Sequence, residues 1–201
     1  MQTKLRVAGA DDLAAVTDVI SAAFHADPAW SWAFPDATRR AVQYDSWWRL
    51  FVAGALRFPW TWVAGPYAAV SVWIPPGQAE MTPEQEDRVE PLLVELLGAT
   101  DAQRVLEMAH RFESNRPVEP HFYLSLLGTA PAHRGHGTGV ALLAANLSSI
   151  DTEGGPAYLE STNPANLARY ERLGFEPRGE FATGGDGSPV VTTMWRPARP
   201  A

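Results

Sequence analysis

The residues best suited to chemistry lie in a glycine-rich turn that follows an apolar segment. Phe122 to Leu127 is strongly strand-like, and Arg134-x-x-Gly137-x-Gly139 comes shortly after it, where a helical pattern begins. The first N–H groups of a helix lack partners within it, and the helix dipole is positive at that end. Glycines also let a phosphate approach the backbone. The turn therefore predicts a binding site for a phosphate-bearing molecule.

The glycine spacing excludes two common phosphate-binding loops. No Gly-Lys-Ser or Gly-Lys-Thr is present in the turn, as a nucleoside triphosphate loop would require. Gly135, Gly137 and Gly139 do not fit the Gly-x-Gly-x-x-Gly spacing of dinucleotide-binding folds. An ordinary glycine-rich turn is the alternative interpretation of these residues on their own.

A second block of residues narrows the interpretation. Leu159-Glu160-Ser161-Thr162-Asn163 is followed by a helical segment that ends in Tyr170-Glu171-Arg172-Leu173-Gly174-Phe175. The two blocks, in this order, resemble the GNAT superfamily, the Gcn5-related N-acetyltransferases, over about residues 121–196. Within it, runs such as Tyr158-Leu159-Glu160 are most similar to the puromycin N-acetyltransferases, but residues 25–36 differ, so no substrate is carried over.

The resemblance implies that the phosphate-bearing molecule is acetyl-CoA. Its pantetheine arm would lie between two strands that splay apart, at about 121–129 and 157–161, and the first strand would pair with it. Its pyrophosphate would be held by N–H groups of the turn. The residues that the resemblance assigns to cofactor binding are Leu127, Gly128, Thr129, Arg134, Gly135, His136, Gly137, Thr138, Gly139 and Asn163.

The resemblance also implies the reaction, in which a neutral amine attacks the thioester directly in a ternary complex. The hydroxyl of Tyr170 would give a proton to the departing sulfur, and the alternative for Tyr170 is core packing. No covalent enzyme intermediate is needed, in agreement with the absence of cysteine, and no metal is expected.

The general base and the acceptor pocket are less determined. Glu160 is the first choice for the base; the alternatives are water, or the side chains of His121, Glu119, Asp27 and Asp36. Residues 27–36 are expected to form an aromatic-rich loop. Its residues Trp30, Trp32 and Phe34 are predicted to line the acceptor pocket, and the alternative for them is burial in the core.

The elements that must position these residues alternate between strand and helix patterns. Strands are predicted at about 60–64, 69–74, 122–127, 157–160, 175–182 and 190–195, and helices at about 13–24, 38–56, 82–97, 101–114, 137–151 and 164–173. This order predicts an α/β (α+β) fold. The resemblance implies a single GNAT domain over residues 1–201: a mixed, mostly antiparallel sheet with helices on both faces and a splayed central strand pair. Residues 1–116 would bind the acceptor and residues 117–196 acetyl-CoA.

Composition limits the partners. The 201 residues carry a net charge of -7 and contain no cysteine, which excludes disulfides and thiolate chemistry. An acidic chain is a poor general ligand for nucleic acid, and no apolar run is long enough to suggest a membrane span. Together with the resemblance, this composition leads us to expect a cytoplasmic enzyme that acetylates a small-molecule amine, and the resemblance implies a homodimer. The alternatives are a protein or peptide N-acetyltransferase and a non-catalytic acyl-CoA sensor.

Overall fold

Seven strands form one sheet in the computed structural model, which describes residues 4–199. The strands are β1 (Leu5–Val7), β2 (Thr61–Ala64), β3 (Ala69–Ile74), β4 (Phe122–Thr129), β5 (Ala157–Ser161), β6 (Glu176–Ala182) and β7 (Val190–Arg196). Their order in the sheet is β1-β2-β3-β4-β5-β7-β6. Neighbouring strands are antiparallel except for β4 and β5, which are parallel. The predicted mixed, mostly antiparallel sheet is confirmed.

Helices cover both faces of this sheet. They are α1 (Leu13–Phe24), α2 (Pro28–Ala33), α3 (Arg40–Ala55), α4 (Pro83–Glu86), α5 (Val89–Leu97), α6 (Ala99–Asn115), α7 (Thr138–Glu153) and α8 (Leu167–Glu171). Helices α1, α3, α5 and α6 share one apolar core with the sheet. Helix α7 packs on the other face, where Leu143, Leu147 and Ile150 contact a second core around Trp73. Because apolar side chains of the central strands point to both faces, both faces need this cover.

The central strands β4 and β5 pair only at their first residues. Phe122, Tyr123 and Leu124 pair with Ala157, Tyr158 and Leu159, and the pairing ends there. The last residues of β5, Glu160 and Ser161, pair with β7 alone. The side of β4 that faces β5 is therefore without a ladder partner from Ser125 to Thr129. This is the predicted splayed pair.

A bulge in β4 lies at the point of divergence. Val72 of β3 pairs with Leu126, and Trp73 pairs with Leu124, so that Ser125 is an extra residue. The extra residue reverses the alternation of side chains along the strand. Tyr123 and Leu126 consequently share one core, and Leu124 and Leu127 contact the other.

The segment 27–36 is not the loop that the sequence predicts. Pro28 to Ala33 form helix α2, with Pro28 at the first helical position. The side chain of Asp27 caps this helix by accepting hydrogen bonds from the N–H groups of Ala29 (3.1 Å) and Trp30 (3.2 Å). Asp-Pro is an efficient helix start, because the aspartate satisfies free N–H groups and the proline has none to satisfy.

Candidate active site

A cavity of about 1350 Å³ opens where β4 and β5 diverge. Its wall combines the ends of these two strands with the glycine-rich turn (residues 134–139) and α8. The wall also includes residues of α2, α3, α5 and α6. The cavity therefore brings together the two halves of the chain that the sequence assigns to different ligands.

The glycines of the glycine-rich turn have distinct structural roles. Gly135 and Gly137 have φ of +82° and +75°, a region that glycine adopts without strain, and Gly137 is the N-cap of α7. Gly139 lies against the end of β4, since a Cβ there would be 2.5 Å from Oγ1 of Thr129. The turn thus brings the free N–H end of a 16-residue helix beside the unpaired edge of β4.

Eight of the ten residues predicted to bind the cofactor line the cavity. They are Leu127, Thr129, Arg134, Gly135, Gly137, Thr138, Gly139 and Asn163. Gly128 instead faces α1, because a Cβ there would lie 3.1 Å from both Ala23 and Ile20 side chains. His136 is exposed and is not part of the cavity wall.

Arg134 and Asn163 already have partners within the protein. Nη2 of Arg134 donates to the carbonyls of Ala22 and Ala23, both at 3.2 Å, near the C-terminal end of α1. A cation is favoured there because the helix dipole is negative at that end. Oδ1 of Asn163 accepts from the N–H of Ala165 at 3.0 Å and caps a short turn.

Glu160 is the most deeply buried carboxyl group of the cavity wall. Its side chain is 2% exposed, and Nε of Arg116 is 4.0 Å from its Oε1. Within residues 4–199, Oε1 accepts no hydrogen bond. Burial raises the pKa of Glu160 to about 7, although Arg116 and the hydroxyls of Tyr123 and Tyr158 act to lower it. Glu160 can therefore accept and release a proton near neutral pH.

Asp27 is the other base candidate that lines the cavity. Burial raises its pKa as well. Both of its oxygens are engaged, however: Oδ1 caps α2, and Oδ2 accepts from the hydroxyl of Thr162 at 2.7 Å. These hydrogen bonds give Asp27 a structural role, in which it links α2 to the end of β5.

The remaining base candidates lie away from the cavity wall. Nδ1 of His121 is 2.6 Å from the carbonyl oxygen of Glu119, and burial lowers the pKa of His121. The carboxylate of Glu119 is 3.6 Å from Nη1 of Arg178. Asp36 is exposed and accepts hydrogen bonds from Thr38. Among the candidates, Glu160 alone combines a place on the cavity wall with a carboxylate oxygen that accepts no hydrogen bond.

Tyr170 lies on α8 and lines the same cavity as Glu160. Its ring meets that of Phe175 edge to face, with centroids 6.1 Å apart. Burial raises the pKa of Tyr170 to about 12, and the nearby charge of Asp27 acts in the same direction. The hydroxyl is therefore a neutral hydrogen-bond donor throughout the physiological range.

Of the three predicted acceptor residues, Trp30 alone lines the cavity. It stacks on Phe112, with centroids 6.1 Å apart, and meets Trp48 edge to face at 4.6 Å. Trp32 lies under the guanidinium of Arg104, 5.2 Å from the ring centroid. Phe34 is fully buried in the core. The sequence missed six aromatic side chains of the wall, although the density of three of them in α3 was a signal: Phe24, Trp47, Trp48, Phe51, Phe112 and Tyr123.

Charges are unevenly distributed around the cavity. On the side of the glycine-rich turn and α8, its wall includes Arg134 and Arg169. On the side of α4, α5 and α6, it includes the exposed carboxylates of Glu86, Glu90 and Glu113. None of these three forms an ion pair within residues 4–199. An anionic molecule is thus favoured at one side and a cationic one at the other.

Two negative findings apply to the described part of the chain. Between residues 4 and 199, no three His, Asp or Glu side chains come together in a group that could hold a metal ion. No helix in this range is both long and apolar enough to cross a membrane.

A comparison with protein families identifies the class. The sequence matches the Acetyltransferase (GNAT) family over residues 60–175, more than half of the chain. The chain therefore belongs to the GNAT family and is an acetyltransferase, and proteins of this family use acetyl-CoA. The matched range includes the glycine-rich turn, Glu160 and Tyr170.

Solved structures share the whole fold. The chain is similar to a histone acetyltransferase HPA2 and related acetyltransferase from Corynebacterium glutamicum, with 24% identity, a TM-score of 0.68, and coverage of 100% of this chain and 99% of that one. It is also similar to a polyamine N-acetyltransferase from Drosophila melanogaster, with 15% identity, a TM-score of 0.62, and coverage of 96% of this chain and 99% of that one. A third similar structure is the ribosomal-protein-S18-alanine N-acetyltransferase from Escherichia coli, with 17% identity, a TM-score of 0.56, and coverage of 100% of this chain and 96% of that one. At these identities the likeness establishes the fold.

Proposed function

We propose that the protein transfers the acetyl group of acetyl-CoA to a primary amine of a small molecule, by direct attack within a ternary complex. The observation that carries the proposal is that Glu160 and Tyr170 line one cavity, beside the glycine-rich turn and the unpaired edge of β4. A proton acceptor for the attacking amine and a hydrogen-bond donor for the departing sulfur are the two groups that speed aminolysis of a thioester.

The residues present fit acetyl-CoA, which supplies an activated acetyl thioester when bound. The left-handed glycines Gly135 and Gly137 leave the N-terminal N–H groups of α7 without side-chain cover, as a pyrophosphate site needs. The edge of β4 from Leu127 to Thr129 offers backbone groups to the amide-containing arm. Arg134 and Arg169 add positive charge on this side of the cavity.

Glu160 acts as the general base in this proposal. A primary amine has a pKa of about 10.4, so at neutral pH nearly all of it carries a proton that must leave before attack. Transfer from the free ammonium ion to Glu160 is uphill, so the amine attacks as its neutral minor form. Glu160, with a pKa raised to about 7 by burial, is partly ionised at neutral pH and accepts the proton that the nitrogen releases as it bonds to the carbonyl carbon. Direct acceptance and acceptance through one water molecule are both compatible with its place in the wall.

Tyr170 stabilises the leaving sulfur in this proposal by hydrogen bonding. A thiol has a pKa of about 8.5, whereas the pKa of Tyr170 is about 12. Full proton transfer from the phenol to the thiolate is therefore uphill. A hydrogen bond from a neutral donor to a developing anion still lowers the barrier, and bonds of this kind contribute about 1.5–3 kcal/mol.

The part of the wall that α2, α4, α5 and α6 contribute indicates the kind of amine. Trp30 and Phe112 give it an aromatic face, and Glu86, Glu90 and Glu113 give it negative charge. A cationic amine with an apolar body satisfies both. The polyamine N-acetyltransferase with a similar fold acts on molecules that share the positive charge, and the fold alone is equally compatible with peptide acceptors.

Release of free CoA thiol from acetyl-CoA tests the proposal across a panel of small amines and of short peptides. We expect turnover with small cationic amines, and a fall of about 10²–10⁴-fold in kcat/KM for Glu160→Gln. The exposed Glu95, which is not in the cavity wall, provides the matched control Glu95→Gln. Turnover with peptide N-termini alone would contradict the small-molecule assignment. Unchanged kinetics in Glu160→Gln would contradict the base.

A further inference from the structure

We infer that Glu80 and Arg116 are positioning residues that set the proton affinity of Glu160. Neither residue stands in either of the two sequence blocks that indicate acetyl transfer, and both line the cavity. The inference rests on the function proposed above, because it assumes that Glu160 is the general base.

One guanidinium lies between two carboxylates at the floor of the cavity. Nε of Arg116 is 4.0 Å from Oε1 of Glu160, and its Nη2 is 3.9 Å from Oε2 of Glu80. The guanidinium also lies over the ring of Tyr123, 4.0 Å from the centroid, which fixes its plane. One positive charge is thus shared by two acids that are 2% and 14% exposed.

The two carboxylates differ in their hydrogen bonds. Oε1 of Glu80 accepts from the hydroxyl of Ser125, the bulge residue of β4. Oε1 of Glu160 accepts no hydrogen bond within residues 4–199. The arrangement thus leaves Glu160 with a carboxylate oxygen that is free to take a proton, whereas the corresponding oxygen of Glu80 is occupied by Ser125.

The backbone holds Glu80 in place independently of its side chain. Gly54 of α3 lies directly against it, since a Cβ on Gly54 would be 2.2 Å from the carbonyl oxygen of Glu80. The neighbouring carbonyl of Ala79 accepts from Nη2 of Arg57 at 2.8 Å. A change confined to the Glu80 carboxylate therefore alters the charge beside Arg116, and the segment that contains Ala79 and Glu80 stays anchored by its backbone.

The other groups around Glu160 are few. Apart from Glu80 and Arg116, the titratable side chains that act on Glu160 are the hydroxyls of Tyr123 on β4 and Tyr158 on β5. On β7 its partner is Thr193, which does not titrate. The other ionisable side chains of the cavity wall are those of Asp27, Glu86, Glu90, Glu113, His133, Arg134, Arg169 and Tyr170. Burial raises the proton affinity of Glu160, and the charges that then adjust it are those of Arg116 and of Glu80, which shares Arg116.

The test is the pH profile of kcat/KM, measured with a weakly basic acceptor amine so that the substrate itself does not titrate in the range. Glu80→Gln removes a negative charge and leaves Arg116 facing Glu160 alone. We expect its acidic limb to move to lower pH by about one unit. Arg116→Met should move the limb upward by at least as much, and Arg116→Lys should return it close to its original position.

Opposite movements of the acidic limb in Glu80→Gln and Arg116→Met would be the expected result, because a merely structural defect lowers activity at every pH alike. Parallel losses without movement of the limb would overturn the inference, and so would an unmoved limb in Glu80→Gln if Arg116→Met does not fold. Ser125→Ala, which removes a hydrogen bond but no charge, should move the limb less than Glu80→Gln. If Glu160→Gln retains full activity, the result contradicts the proposed role of Glu160 as the general base, which is a separate failure from that of the positioning by Glu80 and Arg116.

Discussion

The buried position of Glu160 predicts a pH-dependent stability that can be measured without knowing the acceptor. Its pKa is about 7 in the folded protein against 4.5 for an ordinary glutamate. The folded chain therefore binds more protons than the unfolded chain between these two pH values, and stability falls as pH rises through that window. Glu160→Gln removes this group and its pH dependence.

The magnitude follows from the two pKa values. At about 1.4 kcal/mol per pH unit, a raised carboxyl of this kind lowers the free energy of unfolding by about 3 kcal/mol once the pH is well above 7. Most of that change, roughly 2–3 kcal/mol, lies between pH 5 and pH 8. Glu160 is almost fully buried, so solvent screening reduces this figure little.

Urea denaturation of the wild type and of Glu160→Gln at pH 5 and pH 8 measures the effect. Other groups titrate alike in both proteins, so the difference between the two isolates residue 160. We expect the variant to gain about 2–3 kcal/mol relative to the wild type on going from pH 5 to pH 8. Glu95→Gln, an exposed change on α5, should show no such gain. An equal difference at both pH values would refute the reasoning that burial makes Glu160 a neutral-pH base.

Other predictions concern the remaining parts of the site. Gly137→Val should weaken CoA binding in calorimetry by at least tenfold. A left-handed residue that carries a side chain is strained by about 1–2 kcal/mol, and the side chain covers the N–H groups of α7. Unchanged affinity would contradict the pyrophosphate site at the glycine-rich turn. Tyr170→Phe should lower kcat by about 10–100-fold, with CoA affinity and the melting temperature little changed. Turnover equal to that of the wild type would contradict the proposed hydrogen bond from Tyr170 to the leaving sulfur. The KM for a cationic amine should rise several-fold between low and high salt, and replacing Glu86, Glu90 and Glu113 by glutamine should abolish that salt dependence; a persistent dependence would place the attraction elsewhere.

The parts of the fold and site that the sequence predicts well are local ones. An apolar strand, a glycine-rich turn and a helix start follow one another in β4 and α7, so each boundary is visible in a few adjacent residues. The same holds for β5 and the segment that ends at Gly174, which has a φ of +90°. Where neighbours in the chain decide the conformation, the residue types are enough.

The parts that the sequence mispredicts depend on distant contacts or on an ambiguous local signal. Asp27-Pro28 can end one helix or start the next, and only the two hydrogen bonds accepted by Asp27 decide for α2. Phe34 is in the core because Tyr44 of α3 packs edge to face on its ring at 5.2 Å. The floor of the cavity joins Glu80, Arg116 and Glu160 from three separate segments, and no pattern within one segment indicates that meeting.

Glu80 and Arg116 stand immediately before and after the helical excursion α4–α6, which connects β3 to β4. Their side chains meet at 3.9 Å, so the two ends of the excursion are clasped at the base of the cavity. A segment whose ends are fixed together can change in length and sequence at little entropic cost. The contact therefore fixes where the excursion leaves the sheet and where it returns. A different excursion between Glu80 and Arg116 is a route to new acceptor specificity only if it keeps the apolar side chains that α5 and α6 contribute to the shared core.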